Sequence, residues 1–171
     1  MNDDRVLSLL AFVASAALGW TVLTGRPPAA PPAAGPPADA RIGTVAEAIA
    51  KTEGYYARGN HDGHSLLFRL NNPGGLKKPA LGAADLPTWK DTGLVIFPTP
   101  EMGWAALRHQ VRLMLTGKSR VYDPSDTLLL VAVKYADGDT NWGWNVAGHL
   151  GVSPDASLGD LLAVAPALPL P

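Results

Sequence analysis

Residues 27–40 read PPAAPPAAGPPADA, and no packed core can run through them. Each proline fixes φ and lacks a backbone donor, so the tract favours extended polyproline geometry over helix or ladder. Whatever folds must lie to one side of it. At about 3.1 Å per residue the tract reaches roughly 40 Å, a length suited to a tether holding a domain away from a surface. Its context carries no proline-recognition motif.

On the N-terminal side, Val6–Leu23 is nearly all apolar: VLSLLAFVASAALGWTVL. As a helix it would span roughly 27 Å, against a bilayer core of about 30 Å. Residues 1–26 are therefore expected to form a membrane anchor. Asp3 and Asp4 stand against a single Arg5 at the start, whereas a cleavable leader usually begins more basic. Ala14-Ser15-Ala16 offers an A-x-A site, but only a very short apolar region precedes it. A cleaved signal peptide is the alternative. Arg5 and Arg26 nearly balance, so orientation is weakly encoded. The segment has no strong small-xxx-small face, and a monomer is expected.

On the C-terminal side, residues 41–165 are long enough for one domain with a real core, and a Pro-rich tail follows at 166–171. The net charge is −1, and Lys and Arg are scattered without a basic stripe, which argues against a nucleic-acid partner. The chain has no cysteine, which excludes disulfides and thiolate metal sites. His61-Asp62-Gly63-His64 supplies two imidazoles and a carboxylate but no further ligand nearby. Asp137-x-Asp139-x-Asn141 imitates the start of a calcium loop, but Trp142 replaces the glycine and Gly148 the glutamate. Neither is read as a metal site, and no cofactor is expected.

Periodicity predicts a mainly helical (α+β) domain. A first helix runs from Thr44, as N-cap with Glu47 completing a capping box, to about Tyr56. Val45, Ile49, Thr52, Glu53 and Tyr56 share its apolar face, with Gly54 directly behind Glu53. A carboxylate on such a face is costly unless paired or used. One use is proton donation, because desolvation raises a glutamate's pKa toward neutrality. Ala57–Ser65 reads as a loop, Leu66–Leu70 as a short apolar run, and Asn71–Gly75 as turn chemistry. Gly93–Pro98 reads as one arm of a small sheet. Thr99-Pro100-Glu101 starts a helix stopped by Gly117, with Trp104, Leu107, Val111, Met114 and Leu115 inward. Asp123-Pro124 is expected to open another helix, ended by Asp137-Gly138. A third runs from Thr140 to Leu150 with Gly151 as its stop. Ser157 and Asp160 resemble a capping box for a last short helix.

Three segments carry a common resemblance: AIAKTEGYY at 48–56; NNPGGL at 71–76 with FPTPEMGWAAL at 97–107; and KYADGDTNW at 134–142 with HLGVSPD at 149–155. Together, over nearly all of residues 44–162, they resemble bacterial and phage lysozyme-like proteins of the goose-type lysozyme and lytic transglycosylase superfamily. The resemblance implies a lysozyme-like helical domain with a small β element. It implies that Glu53 is the single catalytic acid, that Asn71 and Asn72 line the β-side wall of a sugar cleft, and that Tyr135 lies near the acid across it. The group's second motif usually reads NNPGN. Here Gly75 replaces the last Asn, and one expected side-chain contact is missing. The third motif departs too, with Asp137, Asp139 and Asn141 in a polar loop. Tyr55, Tyr56, Trp89, Trp142 and Trp144 are candidates to stack on sugars, Trp142 and Trp144 foremost, whereas Trp104 belongs to the core.

The chemistry implied is cleavage of a β-1,4 MurNAc–GlcNAc bond in peptidoglycan. Protonated Glu53 would supply the leaving oxygen's proton. No second carboxylate is evident by spacing, which suits a lytic transglycosylase, in which the muramic 6-hydroxyl attacks C1. Hydrolysis, with Asp137 or Asp139 as base, is the variant reading. The alternative of a different class is a non-catalytic peptidoglycan-binding or virion structural module. The expected place is the cytoplasmic membrane, single-pass, with the domain on the periplasmic or extracytoplasmic side.

Overall fold

The computed structural model describes residues 37–59, 63–77 and 85–163. The apolar segment at 6–23, most of the Pro/Ala tract, His61 and the tail at 166–171 lie outside the described residues. Among the described residues, no helix is long and apolar enough to cross a membrane. The domain is mainly helical, with one two-stranded antiparallel sheet.

Helix α1 spans Ala38–Thr52 and begins earlier than Thr44. Pro37, at φ −56° and ψ 146°, occupies the N-cap position, and the run ADARIG after it is helical. Asp39 in the first turn complements the positive helix end and pairs with Arg112 at 2.6 Å. Thr44 is therefore an interior residue: its hydroxyl donates back to the Ala40 carbonyl at 3.1 Å, and the expected capping box with Glu47 does not form. Ile42, Val45, Ala46, Ala48, Ile49 and Ala50 are buried. The alanines leave little side-chain bulk on α1, and helices α3 (Pro100–Leu115), α5 (Thr140–Leu150) and α6 (Leu158–Ala163) all pack on it.

A one-turn helix α2, Leu66–Arg69, starts at Ser65, whose hydroxyl accepts the Phe68 N–H. The Asn71–Gly75 turn follows. Its centre is the side chain of Asn72, fully buried. The amide Nδ2 donates to the carbonyls of Leu76 (2.9 Å) and Val95 (3.0 Å), and Oδ1 accepts the Leu76 N–H (2.8 Å). Asn71, at φ 52°, donates from Nδ2 to the Phe97 carbonyl at 3.0 Å. The turn is thus stitched to strand β2, Leu94–Val95, which pairs with β1, Thr88–Trp89. The expected strand is present but short, because Phe97 leaves the ladder to bond the turn through Leu70.

Helix α3, Pro100–Leu115, has the expected Thr99 cap and Gly117 stop, with Leu107, Val111, Met114 and Leu115 buried. Gly103 lies directly under the turn: a Cβ there would come within 1.7 Å of the Asn71 carbonyl oxygen. Helix α4 is Leu128–Tyr135, capped by Thr127. The expected start at Asp123-Pro124 is instead a tight turn. Asp123 Oδ1 accepts the Ser125 N–H (2.9 Å), and Asp126 Oδ2 accepts the Asp123 N–H (2.9 Å) and the Lys134 ammonium (2.5 Å). These side-chain acceptors offer the backbone an alternative to helix. Helix α5, Thr140–Leu150, ends at Gly151 as expected. Helix α6, Leu158–Ala163, has the reciprocal Ser157–Asp160 capping box.

Replacing Asn72 by Ala should strand buried backbone groups of Leu76 and Val95, at a cost of about 3 kcal/mol. Urea unfolding of the two proteins measures it. A loss below about 0.5 kcal/mol, the size of an ordinary surface substitution, would mean that the turn holds itself without the amide.

Candidate active site

The end of α1 sets the position of Glu53. Gly54 adopts φ 76°, the left-handed conformation that terminates helices. The Tyr55 N–H then donates to the Ala50 carbonyl (3.0 Å) and the Gly54 N–H to that of Lys51 (3.1 Å). This turn breaks the 3.6-residue period. Tyr55, not Tyr56, enters the core, edge-on to Trp104 at 5.7 Å and tilted against Phe68 at 5.4 Å. Tyr56 is 54% exposed and donates to Glu47 at 3.1 Å. The expected inward place of Tyr56 is therefore corrected: helical periodicity does not survive the left-handed glycine.

Glu53 is the capping residue itself, at φ −69° and ψ −8°. Its Oε1 accepts the indole N–H of Trp142 at 2.7 Å. Trp142 is buried and its ring stacks on Tyr135 at a centroid distance of 4.9 Å. The Tyr135 hydroxyl donates to the Gly74 carbonyl at 2.6 Å. Gly74 and Gly75 make this closeness possible. A Cβ on Gly74 would lie 2.6 Å from Leu107 Cδ1, and one on Gly75 (φ 59°) would lie 2.8 Å from Glu53 Oε2. The glycine that departs from the NNPGN pattern thus brings bare backbone against the carboxyl.

These groups line a cleft of about 370 Å³, with Lys77, Asp137 and Asp139 at its polar rim. Burial pushes the Glu53 carboxyl above its usual range, and the Trp142 hydrogen bond and the Lys77 ammonium draw it partly back. Burial holds the Tyr135 hydroxyl well above its ordinary value, with the Glu53 and Tyr122 charges adding to it, so it stays a neutral donor. Lys77 Nζ meets Asp137 Oδ2 at 3.4 Å, both exposed. Asp139 is occupied in capping α5 through the Asn141 N–H. The Thr52 hydroxyl, also on the cleft wall, is buried and has no hydrogen-bond partner among the described residues. A second hollow, about 420 Å³, lies along α1 between Glu47, Lys51, Arg108 and His149.

Of the residues singled out in the sequence, the structure brings Glu53, Tyr135 and Trp142 together. Four others lie elsewhere. Asn72 is buried with its amide fully engaged in the turn, and the Asn71 amide is tied to Phe97. Tyr55 packs in the core, and Asn141 is exposed outside the cleft lining. Their side chains hold scaffold and surface positions and not the cleft lining. Trp142 is also not a stacking platform, since its face is covered by Tyr135; Trp144 is 59% exposed. Lys77 and Thr52 were not foreseen. Only adjacency, Lys77 to the NNPGGL turn and Thr52 to Glu53, could have pointed to them.

A carboxyl whose pKa is raised on folding stabilises the fold fully below its unfolded pKa and loses that contribution as pH rises through the folded value. The protein should therefore lose stability relative to Glu53→Gln from the ordinary carboxylate range upward, and the variant should be the more stable at pH 8. Urea unfolding of both at pH 4 and pH 8 measures this; a pH-independent difference would contradict a desolvated carboxyl. Comparison with protein-family models, with curated proteins and with solved structures finds no match for this chain.

Proposed function

We propose that the domain is a peptidoglycan-cleaving glycosidase of the lytic transglycosylase type, with Glu53 as its acid and base. The observation that carries this reading is a carboxyl displaced toward neutrality, held by one indole N–H in an open cleft. The order of parts also supports a lysozyme-like domain: a helix ending in the carboxyl, a small sheet, then helices on the other side of the cleft.

In the proposed reaction, Glu53 gives its proton to the glycosidic oxygen as the C1–O4 bond breaks, releasing the GlcNAc 4-hydroxyl. The muramic 6-hydroxyl then attacks C1, and its proton returns to Glu53. The product is a 1,6-anhydro ring, and the enzyme emerges unchanged. One titrating group performs both transfers, so its pKa must lie between those of a free acid and a neutral base. The other cleft carboxylates favour this over hydrolysis. Asp137 is paired with Lys77 and Asp139 caps α5, so each carboxylate that could serve as a hydrolytic base already has a partner.

The test is the full chain in detergent, incubated with isolated peptidoglycan beside Glu53→Gln, with mass spectrometry of the soluble products. Anhydro-muropeptides are expected from the protein and at least about 100-fold less from the variant. Reducing-end products would make the enzyme a hydrolase. Binding without products from either form would make the domain a wall-binding module instead.

A further inference from the structure

The two oxygens of Glu53 have different surroundings. Oε1 accepts the Trp142 indole N–H at 2.7 Å. Oε2 faces Gly75, where a side chain would approach within 2.8 Å. Among the described residues, Trp142 is the carboxyl's hydrogen-bond partner. Trp142 cannot readily retreat: it is 5% exposed, stacked on Tyr135, and Tyr135 is anchored on the Gly74 carbonyl. The site is therefore a closed ring: from the Gly74–Gly75 turn through Tyr135 and Trp142 to Glu53, and from Oε2 back to Gly75.

An indole nitrogen donates and never accepts. When the carboxyl is protonated, Oε1 stays the unprotonated oxygen, since a carbonyl oxygen accepts the indole N–H more strongly than a hydroxyl oxygen does. We propose that Trp142 is a positioning residue that confines the exchangeable proton of Glu53 to Oε2, the oxygen that Gly75 leaves uncovered on the cleft wall. The substrate's leaving oxygen is then met from the Gly75 side only, and Gly75 is a specificity-determining position because any side chain would occupy that approach. The other groups facing the carboxyl are Lys77 beyond the turn, Tyr135 on α4, and Asp137 and Asp139 before α5. None of them is hydrogen-bonded to it among the described residues. The placement of the proton stands on the geometry alone; the approach of the leaving oxygen, the role of Gly75 and the meaning of the kinetic result rest on the glycosidase reading.

The test exchanges one atom. Trp142→3-benzothienylalanine keeps the fused ring and its stacking but replaces N–H by sulfur, so the fold is not at stake. Glu47, Glu53 and Glu101 are the chain's glutamates. With ¹³C at each glutamate δ-carbon, the full chain gives three carboxyl signals, and Glu53→Gln identifies the relevant one. In the isostere, the Glu53 midpoint should rise by about one pH unit, the worth of a hydrogen bond to a charged group, while Glu47 and Glu101 stay in place. In the unaltered protein the Trp142 indole N–H resonance should titrate with the same midpoint, and lose that titration in Glu53→Gln. If the protein is active, the isostere should lower kcat with little change in KM, and the basic limb of the pH profile should move up with the carboxyl. An unmoved Glu53 midpoint, or an indole signal indifferent to pH, overturns the inference. A moved midpoint in a protein that releases no muropeptides upholds it and overturns the glycosidase reading.

Discussion

The buried amide of Asn72 is the constraint on which the rest of the domain depends. It satisfies backbone groups on two segments at once, Leu76 after the turn and Val95 in the sheet. Without it, the turn would have to bury unpaired carbonyls or swing out into water. Held this way, the turn presents Gly103 of α3 with its Asn71 carbonyl and Tyr135 with its Gly74 carbonyl. One neutral side chain, remote from any chemistry, thereby sets the distance between the two walls of the cleft.

Glu53 shows how opposing forces of similar size leave a group adjustable. Burial disfavours the anion; an indole donor and an ammonium at the rim favour it. Full burial without the indole would lock the group neutral, and full exposure would lock it ionised. The cleft gives it one fixed donor and one face open toward solvent, a balance that a proton-exchanging group needs and a structural carboxylate does not.

Much of this was legible in the sequence because it is local. The Thr99 cap, the Gly117 and Gly151 stops and the Ser157–Asp160 box act within a few residues, and each stands where the pattern put it. What failed was local evidence overridden from a distance. Thr44 looked like a cap because Glu47 stands three residues on, yet Pro37 itself serves as the boundary and Arg112 holds the first turn through Asp39. Asn71 and Asn72 were expected on a cleft wall because the NNPGGL segment resembles the lysozyme-like motif. Here the sheet and α3 cover the turn, and its polar side chains become internal mortar. Trp142 was singled out as a face for sugars, but what it offers the site is its edge. No periodicity distinguishes these, since the partner that covers the ring, Tyr135, is brought there by the connection between two helices.

The contacts that complete the cleft join residues far apart along the chain: Glu53 to Trp142 across 89 positions, and Gly74 to Tyr135 across 61. Contacts of such range form after local ones, because the loops they close must first be ordered. A chain still being made, with α1 and the turn complete but α5 not yet emerged, has an ordinary solvated glutamate at position 53. The carboxyl acquires its unusual environment only when the last third of the domain folds over it. Glu53 therefore has its buried, indole-held carboxyl only in a chain whose synthesis is nearly finished.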